Sequence, residues 1–302
     1  MINPKPTITF QAQLELIKKR NLIVEDDSFA LDYLQRNSYY HLNLYFKRLQ
    51  KPTGAIDDQG TEEVEFLEGT TFDDIVRIHE DDCKLRGFVL QLLQPIEIRL
   101  RTIISYDLGI KYGSLVFYID PPYHDATKIV RLREQFDRLI QVEGGNPIVQ
   151  HHVHKYQGEF PLYAILELTS FSFLKNYFYS LDWALQNQIA KTYFQQQNAI
   201  KLKNWLQCLC DLRNICAHHN YLYTRLFDAT PKFINRSILE GGQKKTLFAY
   251  FVVMGHLSEP EFWKKTLDEL DEYNKKTDCL RVESYGFGPD WKDKLINGVL
   301  HF

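Results

Sequence analysis

The chain has 302 residues, 44% hydrophobic and 25% charged, enough apolar material for a packed core and too much for a disordered chain. A net charge of −3 excludes a globally basic nucleic-acid binder, so any RNA site has to be a local basic patch. Five cysteines (Cys83, Cys208, Cys210, Cys216, Cys279) include no C-x-x-C pair, which argues against a thiolate zinc or redox site and for small apolar fillers.

The start, "MINPKPTITFQAQ", lacks the charged-then-apolar pattern of a signal peptide. Thr9 caps a helix carrying Phe10, Leu14 and Ile17, and a second helix from Asp27 or Ser28 carries Leu31 and Leu34. The stretch "RNSYYHLNLYFKRL" gives no clear period, and residues 51–69, polar, acidic and glycine-bearing, read as a loop. Thr71 opens the longest run, with Asp74 as a capping-box partner and Phe72, Ile75, Ile78, Leu85, Phe88 and Leu92 in helical register. Pro95 is expected to kink or break it, with a second helix from Pro95 to about Ile110. Gly113 and "DPPYHD" mark a loop.

Further helices are expected at Thr127–Gln141, Leu162–Tyr179, Trp183–Phe194, Ala199–Ala217, Leu247–Leu257 and Glu259–Asn274. Ser258, Glu261 and Pro260 give the last of these its start signal. "LFAYFVVMGHL" is about half the length of a membrane span. The fold class expected is all-α, without internal repeats.

One helix holds an anomaly. With Leu202 of Ala199–Ala217 set at zero and about 100° per residue, Leu206, Leu209 and Cys216 fall within about 40°. Arg213 falls about 20° from that centre line, inside the apolar stripe. Asn214 and His218 share the opposite flank four residues apart, with His218 about 140° from Arg213. A buried arginine needs an anion. A structural acid such as Glu97 or Glu167 can supply it, leaving His218 and His219 to cap the helix C-terminus, where cations favour the dipole. A phosphate can supply it equally well.

The stretch Arg213-Asn214-Ile215-Cys216-Ala217-His218 resembles the R-x4-H signature of the HEPN superfamily of helical ribonucleases. "KPTITFQAQLELIKKRNLIVED", "NSYYHLNLYF", "TTFDDIVRIHEDDCKLR", "PIEIRLRTIISYDLG", "FPLYAILELTSFSFL" and "LRNICAHHNYLYTR" resemble, in order, the Abi-like (AbiF/AbiD) branch of that superfamily, bacterial abortive-infection proteins. One departure is Tyr221-Leu222-Tyr223-Thr224, where relatives often carry a basic residue and then Leu-Trp-Asn.

The resemblance implies a HEPN-like helical bundle with additional N- and C-terminal helices. As one Abi-like HEPN domain over 1–302, it divides into an N-terminal extension (1–70), a core ending in the motif (71–230) and C-terminal helices (231–302). It further implies a metal-independent endoribonuclease of antiphage defence, without cofactor, acting as a homodimer through the motif helix and complexed with or controlled by a small structured non-coding RNA. The N-terminal pattern and the short apolar windows separately lead to the expectation of a reduced cytoplasm. Arg213, Asn214 and His218 would be catalytic, leaving 2′,3′-cyclic phosphate ends, with His219 and Glu97 auxiliary. The alternative is a HEPN module that binds RNA without cleaving it.

Lys128, Arg131, Arg133 and Arg138, near the helical period, and Lys201 and Lys203 are candidates for contacting RNA phosphates. Interleaved Glu134 and Asp137 suit a solvated face equally well. Glu97 and Arg101 form an i, i+4 pair in the helix, bearing Arg99 too, that relatives pack on the motif helix. His151, His152 and His154 have no acidic or cysteine partner at a telling spacing, so no metal is expected there; a polar loop or helix end explains them.

Overall fold

The computed structural model describes residues 6–57, 60–119, 123–195, 198–232, 238–239 and 243–299. Three short helices come first. Helix α1 (Phe10–Lys19) starts where Thr9 accepts the Ala12 N–H, and α2 (Asp27–Arg36) where Asp26 accepts that of Phe29. Helix α3 (Tyr39–Phe46) covers the tyrosine-rich stretch that periodicity leaves unassigned.

The expected loop at 51–69 is instead largely an antiparallel hairpin. Strand β1 (Gln50–Ile56) pairs with β2 (Glu62–Phe66), Gln50 opposite Phe66 and Pro52 opposite Val64. Strand β1 is exposed along nearly its whole length and only Phe66, at the end of β2, is buried, so the in–out alternation that announces a strand is too short to read.

Helix α4 (Phe72–Tyr112) begins with the capping box: Thr71 Oγ1 accepts the Asp74 N–H at 3.1 Å and Asp74 accepts the Thr71 N–H at 3.0 Å. The expected break at Pro95 does not occur; the helix runs through it. Proline removes the donor for the Gln91 carbonyl, but Gln91 is exposed, so water can take that carbonyl while Leu92, Leu93 and Ile96 hold the helix to the core.

Helices α5 (Ala126–Val142), α6 (Pro147–Tyr156), α7 (Leu162–Leu168), α8 (Phe171–Ser180), α9 (Trp183–Phe194) and α10 (Ala199–Ala217) come next. Asp120–Pro122 of "DPPYHD" lie outside the described residues. The single helix expected over Leu162–Tyr179 is two: Thr169 is extended, and Ser170 caps α8 by accepting the Phe173 N–H at 3.2 Å. Of the two readings of "HHVH", a polar loop or a helix end, the second fits: the histidines lie in the C-terminal half of α6, which Asn146 and Pro147 begin.

The chain ends with α11 (Leu247–Leu257), α12 (Pro260–Thr277), α13 (Val282–Tyr285) and α14 (Trp291–Asn297). The cap of α12 is Glu259, which accepts the Phe262 N–H, not Ser258.

Two apolar clusters hold these elements. Leu14, Ile17, Leu34, Leu42, Phe46 and Phe66 pack with Phe72 and Ile75 at the start of α4. From Leu85 onward α4 belongs to the second, larger cluster, which α5 to α14 build around Trp205, Phe251 and Trp263. Helix α4 is thus the element shared by both. Among the described residues no helix is long and apolar enough to cross a membrane.

Candidate functional site

Helix α10 starts at Asn198, whose side chain accepts the Ile200 N–H, and packs against α4, α8, α9 and α11. The predicted stripe is its buried face: Leu202, Trp205, Leu206, Leu209, Leu212 and Cys216. Cys208 and Cys216 are fillers there, and burial pushes both thiols up to about 12.

Arg213 faces α4 but is not sealed against it. Its side chain stays 34% exposed, and Nε lies 4.0 Å from Glu97 Oε2. The two flank an open groove lined also by Leu90, Gln94, Ile98 and Arg101. Glu97 belongs chiefly to Arg101, one turn on, which also donates to the Thr169 carbonyl at 2.7 Å. That carbonyl is available because the chain is extended at Thr169 between α7 and α8. The structural acid therefore sits where the sequence puts it, yet serves Arg101 first. Among the described residues Arg213 donates no side-chain hydrogen bond and Glu167 makes no ion pair with it.

The two histidines end α10 in a Schellman turn. Asn220 N–H donates to the Ile215 carbonyl at 2.9 Å and His219 N–H to that of Cys216 at 3.2 Å. His218 is the C-cap, while His219 takes the left-handed position at φ 57°, where glycine is usual. Both are exposed. Asn214 is half-buried, with Nδ2 4.0 Å from Cys210 Sγ. Among the described residues neither the Arg213 nor the Asn214 side chain hydrogen-bonds His218, so the chain aligns these residues on one helix without joining them.

A buried knot that the sequence reading missed anchors the segment beyond α10. Asp82, fully buried on α4, accepts the Leu222 N–H at 3.0 and 3.1 Å, the Tyr45 hydroxyl at 2.9 Å and the Tyr285 hydroxyl at 3.1 Å. It pairs with Arg86, whose other nitrogen donates to Cys83 Sγ at 2.8 Å. Burial pushes the Asp82 carboxyl up, while the Leu222 N–H, Arg86 and the phenols pull it down. The signal was legible: Asp82 and Arg86 fall in line with Ile75, Leu85 and Val89 on the apolar face, just as Arg213 does on its own. Leu222 lies in the stretch that departs from the family pattern. Here that stretch is architectural: Leu222 is buried and Tyr223 packs on Tyr45 and Tyr285.

Nearby, His79 meets the Tyr33 hydroxyl at 2.6 Å, and burial lowers its pKa to about 4. Burial, then Arg86, lower that of His41, and the Tyr45 ring of α3 packs on Tyr223 just beyond the end of α10.

The six basic candidates do not form one surface. Arg133 is tied to the Phe117 and Ile119 carbonyls, both at 2.8 Å, whereas Arg131 and Arg138 are exposed. Lys201 lies over the Trp205 ring at 4.7 Å. Lys203, about 200° further round α10, lies over Tyr179 with Lys128. Arg99 pins the Tyr193 carbonyl at 2.8 Å. On α6, His152 is buried against the Glu159 carbonyl, and His151 and His154 are exposed.

The family model of Abi-like proteins matches residues 32–224, from α2 to the turn beyond α10. The chain belongs to the Abi-like family. That membership brings an association with abortive-infection defence. The matched span contains Asp82, Arg86, Glu97, Arg213 and His218, and leaves α11 to α14 outside it. No curated protein and no solved structure matches the chain.

Proposed function

We propose that this Abi-like protein is a HEPN endoribonuclease that cleaves RNA in antiphage defence, with Arg213, Asn214 and His218 as its catalytic residues. The observation that carries this reading is the state of Arg213. It is a partly exposed guanidinium in an open groove, 4.0 Å from an acid already engaged by Arg101. A structural ion pair would be shorter and more enclosed.

His218, exposed at the helix end, takes the proton from the ribose 2′-hydroxyl, whose oxygen attacks the adjacent phosphorus. Arg213 holds the phosphoryl oxygens as their charge grows. Asn214 positions the phosphate. The departing 5′-oxygen takes up a proton, leaving a 2′,3′-cyclic phosphate and a 5′-hydroxyl.

One copy sets Arg213 and His218 on different flanks of α10, so the complete site is a homodimer crevice in which two motif helices contribute across a two-fold axis. No cofactor takes part, and the protein works in the bacterial cytoplasm. A structured non-coding RNA restrains or guides it.

Labelled total RNA incubated with the pure protein and a chelator tests this, with light scattering on the same sample. Cleavage by a dimer supports the reading; cleavage by a clean monomer ends the composite site. RNA bound intact favours the other member of the pair, a module that binds without cutting.

A further inference from the structure

Three lysines from three helices converge on one aromatic ring, about 15 Å along α10 from Arg213. Lys203 Nζ of α10 lies 4.9 Å from the Tyr179 ring centroid, Lys128 Nζ of α5 lies 5.7 Å from it, and Lys175 Nζ of α8 lies 5.8 Å from it. The ring is fixed in place, because the Tyr179 hydroxyl donates to the Lys203 carbonyl and Lys175 sits one turn before it on α8. Three ammonium groups gathered at one point repel one another, so such an arrangement calls for anions.

The anions present are too few. Asp125 lies 3.6 Å from Lys128 Nζ. Lys175 is 9% exposed, and its partner is neutral: Nζ donates to Gln207 Oε1 at 2.8 Å. The Gln207 amide in turn donates to both Asp211 carboxylate oxygens at 2.9 Å. Lys203 has no carboxylate within ion-pair distance among the described residues. Burial, then the like charge of Lys128, lower its pKa.

The cluster continues into the motif. On α10, Lys203, Gln207, Asn214 and His218 lie within about 60° of one another, one polar flank beside the buried stripe. From Lys203 to His218 that flank runs 15 residues, about 22 Å.

We propose that Lys128, Lys175 and Lys203, gathered around Tyr179, form a phosphate-binding site that holds an RNA backbone laid along this flank with its reactive end at His218. Ammonium groups bind phosphate as point charges without reading the base, so the site sets where RNA lies rather than which sequence it has. It deepens the nuclease reading and rests on it for the direction of the strand.

The test is fluorescence anisotropy of labelled single-stranded RNA of increasing length, on the full chain carrying His218→Ala, across a salt series. Adding Lys128→Gln and Lys203→Gln removes two phosphate contacts and should lower the slope of log K against log salt by about 1.4, about 0.7 for each. A control pair, Lys264→Gln and Lys265→Gln on the exposed side of α12, removes equal charge and should leave the slope in place. The loss should appear only for oligonucleotides long enough to span the flank.

An unchanged slope in the Lys128/Lys203 variant, or an equal fall in the control pair, overturns the proposal. If wild-type protein binds through these lysines but never cuts RNA, the phosphate site stands and the nuclease reading falls. Cleavage with silent lysines gives the reverse. Equal behaviour of DNA of the same sequence shows that the site reads the phosphodiester alone.

Discussion

Asp82→Asn tests how the end of the motif helix is held. The substitution keeps shape and removes charge, leaving Arg86, 6% exposed, without its counter-ion in the interior. Breaking a buried pair from one side costs about 3–5 kcal/mol. At about 2.1 cal/mol/K per residue, 302 residues give an unfolding entropy near 0.6 kcal/mol/K, so the melting temperature should fall by about 5–8 °C. Replacing both partners with apolar residues of similar size (Asp82→Leu with Arg86→Met) removes the stranded charge but leaves the Leu222 N–H and the Tyr45 and Tyr285 hydroxyls without their acceptor, so it should recover little of that. Hydrogen exchange supplies the local readout: the Leu222 amide, which donates to both carboxylate oxygens, should exchange faster than amides in α12. A melting temperature within about 1 °C of the parent, with Leu222 still protected, would refute the idea that this knot anchors the segment.

His219→Gly should raise stability by about 0.5–1 kcal/mol in urea unfolding, because glycine fits φ 57° without the Cβ penalty. Cleavage should survive it, and its loss would move the proton-transfer role from His218 to His219. Glu97→Gln leaves Arg101 without its carboxylate, so it should cost about 1.5–3 kcal/mol while per-molecule cleavage by the folded protein holds; a separate loss of rate would give Glu97 a chemical part. Burial holds His79 and His256 at about 4, against about 6.5 unfolded, so the unfolded chain takes up protons first. Stability is therefore lost as pH falls from about 6.5 towards 4, and melts across that range should fall less steeply in His256→Phe, which keeps a ring on Trp205.

Much of the fold was legible because apolar periodicity and caps are local. Thr9, Thr71 and the stripe of α10 needed no tertiary knowledge. The errors came where long-range packing or solvent decides. Pro95 lies inside a helix whose buried face outweighs one lost hydrogen bond, and β1–β2 is a mostly exposed hairpin that sends only Phe66 into the core, too little to betray it. The break at Thr169 is a capping event inside an unbroken apolar pattern.

For the site, Arg213 was found by its place on a stripe, and Glu97 by its candidacy as partner; the structure adds that Arg101 has first claim on that acid. The same stripe argument applied to α4 finds Asp82 and Arg86, but Leu222 and Tyr285 come from 140 and 203 residues away, beyond any local pattern. The lysine cluster was half visible. Lys128 and Lys203 stood out as charges, whereas Tyr179 and the buried Lys175 gather only in three dimensions.

The most direct measurement is single-turnover cleavage of end-labelled RNA by wild-type protein, Arg213→Ala and His218→Ala, each confirmed as folded, with the chemistry of the new termini read out. Cyclic phosphate and 5′-hydroxyl ends from the wild type, with a rate loss of at least about 100-fold in His218→Ala and a comparable loss in Arg213→Ala, are predicted. Cleavage by both variants at the wild-type rate would contradict the assignment outright.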